Sequence, residues 1–324
     1  MSLNQSNVTT NFSTSDFSLE NAHGKLDFQM TNDYMFRAVF QSSPKALKGL
    51  IAAVLHLNVN DIIRVKILNP IIVGESISNK EFRLDINVLM NDNTLINLEM
   101  QVANQFNWSN RSLSYLCRSY DQLEHGDDYN DAKPVIHIGF LDYTLFPKKP
   151  EFCALYKFMN TKNHNVFNDN LALYVIDLSK IELATEEDKQ YGINHWASLF
   201  KATTWEEIRN MSTIDEYLEE ATQEMRKLCA NDEVRKRCRD RLEYYQDMKL
   251  QEKMVEKYKG EVVELEGNIA KLKGDVAELE GNVAELEGNV ADLEGNVADL
   301  EADNANKDKY IQQLLQKIEE LKKR

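Results

Sequence analysis

The stretch FRLDINVLMNDNTLINLEMQV, residues 82–102, alternates apolar and polar side chains on either side of a polar knot, Asn91, Asp92 and Asn93. Period-two alternation describes a half-buried strand, and two such runs joined by a short Asn/Asp loop describe an antiparallel hairpin. Leu84, Ile86, Val88 and Met90 share one face with Ile96, Leu98, Met100 and Val102, and that face is wholly apolar. Arg83, Asp85, Asn87, Asn97, Glu99 and Gln101 fall on the other. With Asn91, Asp92 and Asn93 as a three-residue turn, Met90 faces Thr94; counting outwards sets Leu84 opposite Met100 and Asp85 opposite Glu99. Carboxylates so opposed have Cβ atoms about 5 Å apart and destabilise the pair unless something neutralises them. A divalent cation would do so. Mg²⁺ takes one or two carboxylates together with waters and phosphate oxygens, and it activates water for phosphodiester hydrolysis. A hairpin with one wetted face also carries Asp, Glu, Asn and Gln, so periodicity alone leaves both readings open.

The rest of the chain bounds the answer. Its 324 residues, 43% apolar and 28% charged, suit one or two globular domains. A net charge of −15 excludes a protein held on nucleic acid by a basic surface overall, so any DNA contact must be local. Cys117, Cys153, Cys229 and Cys238 have no metal-ligand spacing, and reduced thiols in a cytoplasm are the expectation. No secretory pattern opens the chain, and no apolar run approaches the roughly 20 residues that span a bilayer. The six histidines lack HExxH spacing, and GxxxxGKS and GxGxxG are absent, so zinc hydrolysis and nucleotide cofactors find no support.

Three parts follow from the pattern. Residues 1–28, rich in Ser, Thr and Asn, read as a flexible tail. Residues 29–240 mix helices and strands, which indicates an α/β domain with a helical C-terminal part. Helices are predicted over TNDYMFRAVF (31–40), with Thr31 and Asn32 as caps, and PKALKGLIAAVLHL (44–57), with Pro44 in its first turn. Strands are predicted in DIIRVKIL (61–68), the hairpin, VIHIGFLDY (135–143) and LALYVIDL (171–178). A further helix is predicted from Trp108 to His125, with Leu113, Leu116, Tyr120 and Leu123 buried and Gly126 as its C-terminal cap. Arg111, Tyr115, Arg118 and Gln122 recur along another face of that helix, as phosphate contacts or as a solvated stripe. A second basic stretch, RKRCRDR at 235–241, fits a DNA backbone or plain solvation.

Residues 241–324 read as a helical stalk. From about residue 255 to 321 the unit GNVAELE and its variants repeat every seven residues, giving an a/d seam through Val262, Leu265, Ile269 and Leu272 to Val276, Leu279, Val283, Leu286, Val290 and Leu293. The seam runs on in phase, through polar Asn304 at an a position, to Ile318 and Leu321. Val or Ile at a with Leu at d favours a parallel two-stranded coiled coil, about 90 Å long for sixty residues. Gly260 and its five heptad equivalents fall at f, where they soften the helix without opening the seam. Thirteen acidic residues against two lysines in 260–303 exclude this segment as a DNA clamp. A homodimer is the simplest partnership, a basic hetero-partner the alternative.

An Asp in a strand, a polar turn, then acidic residue, any residue, Lys or Gln is the site pattern of the PD-(D/E)XK nucleases. The chain resembles in particular the Rpn family of recombination-promoting nucleases and transposases. The matching stretches are TNDYMFRAVF, RLDINVLMNDNTLINLEMQV, NRSLSYLCRSYDQLEHGDDYNDAKPVIHIGFLDY (110–143) and, more weakly, LALYVIDL, together about residues 29–180. The resemblance implies a restriction-endonuclease-like mixed sheet flanked by helices. It implies a metal-dependent endonuclease acting on double-stranded DNA in recombination or mobile elements, with Mg²⁺, or Mn²⁺ or Ca²⁺, as cofactor. Asp85 and Glu99 would be metal ligands, with Gln101 completing the catalytic set where many relatives have Lys. Lys80 or Arg83 would supply the missing charge, Arg83, Arg111, Tyr115 and Arg118 would meet phosphates, and Asp33 is an additional ligand candidate because no Glu lies between residues 31 and 50. A nuclease-derived head that binds DNA or protein without cutting, oligomerised by the stalk, is the alternative from another functional class; a pure scaffold is a third.

Overall fold

The computed structural model describes residues 18–69 and 85–322. Arg83, Lys80, Leu84 and most of the expected tail lie outside the described residues. The chain divides into two compact units after Glu252.

The first unit is built on a six-stranded mixed sheet of β1 (Val65–Ile67), β2 (Ile86–Met90), β3 (Thr94–Gln101), β4 (Val135–Leu141), β5 (Cys153–Lys157) and β6 (Leu171–Asp177), in spatial order β1-β2-β3-β4-β6-β5. The hairpin is formed as the alternation requires. Met90 pairs with Thr94 and Ile86 with Leu98, with a three-residue turn between, so the register is the one counted from the sequence. Asn91 and Asp92 hold φ at 49° and 60°, the left-handed region that Asn and Asp tolerate. β3, β4 and β6 are parallel, while β1, β2 and β5 run antiparallel to their neighbours.

Helix α1 (Asp33–Ser42) is capped by the Asn32 side chain, which accepts from Tyr34 and Met35 amides, and α2 (Pro44–Val54) by Ser43. Phe36 of α1 meets Phe140 of β4 and Phe200 of α5 (Ile193–Lys201) at centroid distances of 5.6 and 5.5 Å, and Phe40 meets Phe36 at 4.9 Å and Phe200 at 6.1 Å. This aromatic cluster sits on the Ile96, Leu98 and Met100 face of β3. The other face of the sheet is crossed by α3 (Trp108–Tyr120), which links β3 to its parallel neighbour β4 in the usual crossover arrangement. α4 (Glu186–Gln190), α6 (Trp205–Ser212), α7 (Glu216–Cys229) and α8 (Asp232–Lys322) complete the helices.

Several expectations are corrected. α3 stops at Tyr120, not His125, and Gly126 turns a later loop with φ 102°. Its buried stripe is Trp108, Ser112 and Leu116, while Leu113 is 55% exposed. The helix is rotated because Trp108 is drawn onto the sheet. The strand expected over 61–68 shortens to three residues, since 59–61 form a 3-10 turn. β5 was not anticipated at all. Residues 18–28, within the expected tail, dock onto the domain: Ala22 and Phe28 are buried, and the Leu26 amide donates to the Thr203 carbonyl at 2.9 Å. Apolar Leu19, Ala22, Leu26 and Phe28 provide the reason, because each covers core surface that would otherwise face water.

In the second unit, Lys253–Arg324, the described residues are helical, and the seam residues lie open on the single chain, Val276 at 53% and Leu279 at 62% exposure. No helix among the described residues is long and apolar enough to cross a membrane.

Candidate active site

The polar beat of the hairpin is buried. Asp85, Asn97, Glu99 and Gln101 are each less than 10% exposed, so this face is not kept for solubility. Sheet register explains their neighbours. Asn97 lies beside His137, Glu99 beside Gly139 and Gln101 beside Leu141. α3 covers this row, and the Trp108 ring occupies the place where a residue-139 side chain would stand. A Cβ there would lie 2.1 Å from Trp108 Cζ2, so only glycine permits the contact.

Asp85 immediately precedes β2 and is fixed from two sides. Its carbonyl accepts from Arg37 Nη1 at 2.6 Å and from Asn69 Nδ2 at 3.0 Å, and its Oδ2 accepts from Asn97 Nδ2 at 2.8 Å. Arg37 is itself buried, and burial lowers its pKa from the usual range, against the pull of Asp85. Asp33 and Arg37 stand one helical turn apart on α1 and so present one face toward the hairpin.

Glu99 is strongly perturbed. Its Oε1 accepts from Arg111 Nη2 at 2.6 Å, and its Oε2, buried, has no hydrogen-bond partner. Burial pushes its pKa up to about 7; Arg111 opposes the rise, and the charges of Asp85 and Asp33 add to it. His137, wholly buried and 3.8 Å from Glu99 Oε2, is driven down to about 3 by burial and by Arg111. Its ring stacks on Tyr115, with planes 6° apart and centroids 6.2 Å apart.

Asp33, Asp85, Glu99 and Gln101 line one cavity of about 680 Å³, whose wall also includes Arg241 and Tyr245 of α8. Asp33 is not the cap of α1, a role taken by Asn32, and both its oxygens accept from Arg241, Nε to Oδ1 at 2.9 Å and Nη2 to Oδ2. Gln101 Nε2 donates to the Ala103 carbonyl at 2.8 Å, leaving the amide oxygen as its other polar atom. Of the α3 stripe, Arg111 reaches the site through Glu99 and Tyr115 through His137, while Arg118 stays exposed. The basic stretch 235–241 is largely spent on ion pairs: Arg235 with Asp27, Arg237 with Glu233 and Arg241 with Asp33. Composition and periodicity gave no signal for His137 or Tyr245, and marked Arg241 only as one charge in a run.

The residues present fit a divalent cation. A buried carboxylate oxygen without a donor, repelled by two neighbouring carboxylates, is relieved by a positive ion, and oxygen donors suit a hard one. Among the described residues no group of three or more His, Cys, Asp or Glu is arranged to hold a metal.

No curated protein and no solved structure matches this chain. Residues 30–254 match the family model for PD-(D/E)XK nuclease family transposases, a span that covers the sheet, the cavity and the start of α8. The hairpin carboxylates, the mixed sheet and this match agree: the chain belongs to the PD-(D/E)XK nuclease family transposases.

Proposed function

We propose that the protein is a metal-dependent DNA endonuclease that hydrolyses phosphodiester bonds, in keeping with the nuclease and mobile-element role of its family. The observation that carries the proposal is the burial of Asp85 and Glu99 in one cavity, with Glu99 Oε2 left without a donor. Asp85 and Glu99 would hold the cation, Mg²⁺ or Mn²⁺. When bound, it polarises the phosphate and lowers the pKa of water. Arg111 orients Glu99 by holding Oε1, so that Oε2 faces away from that bond. Asn97 plays the corresponding part for the Asp85 carboxylate by donating to Oδ2, while Arg37 holds the Asp85 backbone carbonyl. Gln101 offers its amide oxygen to the hydrogen of an attacking water, an orienting role that requires no charge. Arg118, exposed on α3, is available to meet a phosphate.

Plasmid nicking in Mg²⁺ or Mn²⁺ tests the reading. Asp85→Asn and Glu99→Gln are each expected to reduce it by at least about 100-fold. Nicking that persists unchanged in both variants sinks it.

A second reading is favoured by Gln101. Its amide nitrogen is engaged with the Ala103 carbonyl, and it brings no cation to the position where many nucleases of this type have Lys. The head would then bind DNA without cutting, with the stalk as its working part. Metal titration separates the two, since a head that binds neither Mg²⁺ nor Mn²⁺ is not the proposed enzyme. In either case the exposed seam, Val276, Leu279, Val283, Leu286, Val290 and Leu293, supports pairing with a second copy as a parallel coiled coil.

A further inference from the structure

Asp33 and Arg241 lie 208 residues apart in the chain and meet in the wall of the cavity. The contact is a planar fork on a carboxylate, with Nε donating to one oxygen at 2.9 Å and Nη2 to the other. Both partners are well covered, Asp33 at 6% and Arg241 at 18% side-chain exposure. The guanidinium is held further by the ring faces of Tyr244 and Tyr245, 4.5 and 5.0 Å from their centroids, and Nη2 also reaches Tyr245 Oη at 3.3 Å. Such a group cannot lose its proton and matches a carboxylate geometrically, so it is a permanent counter-ion.

Five carboxylates line the cavity, Asp33, Asp85, Glu99, Asp240 and Glu243; Asp33 has both its oxygens held by an arginine, whereas Arg111 holds only one oxygen of Glu99. We infer that Arg241 withholds Asp33 from metal coordination and restricts the site to one divalent cation, on Asp85 and Glu99. The inference rests on the reading that Asp85 and Glu99 hold a metal at all. Arg241 touches neither of those two carboxylates through any bond described above; it acts through Asp33 and is a positioning residue. An aspartate left without this partner would present its carboxylate to the same cavity with only the Tyr245 hydroxyl beside it, and affinity for hard cations rises with the number of charged oxygen ligands.

The test uses the full-length chain, stripped of metal with chelator and titrated with Mn²⁺ in a calorimeter, with no substrate present. The wild type is expected to bind one Mn²⁺ per chain. Arg241→Met is expected either to bind a second ion or to bind the first at least about tenfold more tightly. Adding Asp33→Asn to that variant should return it to one ion at wild-type affinity. Because Arg241 also ties α8 to α1, its loss could prevent folding; Asp33→Asn alone then decides, and should still bind one ion. Two ions in the wild type, an Arg241→Met protein indistinguishable from wild type, or loss of the ion in Asp33→Asn would each overturn the inference while leaving a metal site in place. No ion bound by the wild type overturns the metal-binding reading of Asp85 and Glu99 itself, and the inference with it.

Discussion

Glu99 Oε2 and His137 Nε2 face each other across 3.8 Å in the interior, and neither atom makes a hydrogen bond. The two groups are perturbed in opposite directions, and their effects on stability oppose each other. The unfolded chain protonates histidine near 6.5, whereas native His137 resists until about 3, so its share of stability rises with pH across that window and is lost as pH falls through it. Native Glu99 keeps its proton up to about 7, whereas the unfolded chain gives it up near 4.5, so its share falls with rising pH between those values. The slopes offset each other from about pH 4.5 to 6.5. In metal-free buffer, Glu99→Gln is expected to remove the falling limb, so that stability no longer declines between about pH 4.5 and 7. His137→Gln should instead expose the falling limb. Urea unfolding at a series of pH values checks both, and a Glu99→Gln protein with the wild-type pH profile would contradict the assignment.

The Trp108 and Gly139 contact yields a second expectation. Gly139→Ala places a methyl group 2.1 Å from a buried indole carbon, and the ring is hemmed in by His137 at 5.5 Å between centroids. Overpacking of this kind costs about 1–3 kcal/mol or more when the neighbour cannot give way. Thermal unfolding should show a large fall in Tm for Gly139→Ala, and a partial recovery in the Gly139→Ala, Trp108→Leu double variant. Independent, additive losses would mean that the two positions do not meet.

What the sequence showed and what it concealed divide along the range of the interactions. The hairpin was legible because its register is set locally: a period of two, an apolar face and a three-residue turn leave one pairing, and Ile86 meets Leu98 accordingly. The cap at Asn32 is equally local. The rotation of α3 was not legible, because it depends on whether a residue in β4 is small enough to accept Trp108, and nothing in the helix itself announces that. β5 has too little alternation, burying Ala154 and exposing Leu155 and Tyr156, to stand out as a strand at the sheet edge. Arg241 was hidden in a run of charges, since its distinction is a partner 208 residues away.

Arg37 carries a third expectation. Its Nη1 donates to the Asp85 carbonyl at 2.6 Å and its Nη2 donates to the Asn69 carbonyl, so one buried side chain fixes the backbone on which a proposed ligand rests. Arg37→Met removes a charged donor from two carbonyls, a loss on the order of 2 kcal/mol. Lysine, a point charge without the fork, should rescue only part of it. Denaturant unfolding measures the stability loss, and Mn²⁺ titration should show weakened binding in Arg37→Met even at temperatures where the variant remains folded. Full metal affinity in a folded Arg37→Met protein would show that Asp85 does not depend on this tether.

The stalk is the place where glycine is most out of character. Gly260, Gly267, Gly274, Gly281, Gly288 and Gly295 sit within α8, and an added Cβ at any of them meets nothing within 4 Å. Each glycine therefore weakens the helix by up to about 1 kcal/mol relative to alanine, without a packing reason for its presence. Their heptad position is f, away from the seam, so alanine there should strengthen the helix and leave partner choice untouched. Replacing Gly267, Gly274, Gly281 and Gly288 together is expected to raise the melting temperature of the helical signal by several degrees, followed by circular dichroism, with the mass from sedimentation equilibrium unchanged. Val283→Asp with Leu286→Asp, by contrast, puts charge in the seam, where the side chains are 53% and 63% exposed on the single chain, and should abolish the proposed pairing. A wild-type chain that sediments as a monomer at micromolar concentration, or alanine variants that change its oligomeric mass, would show that the exposed seam serves something other than a second copy.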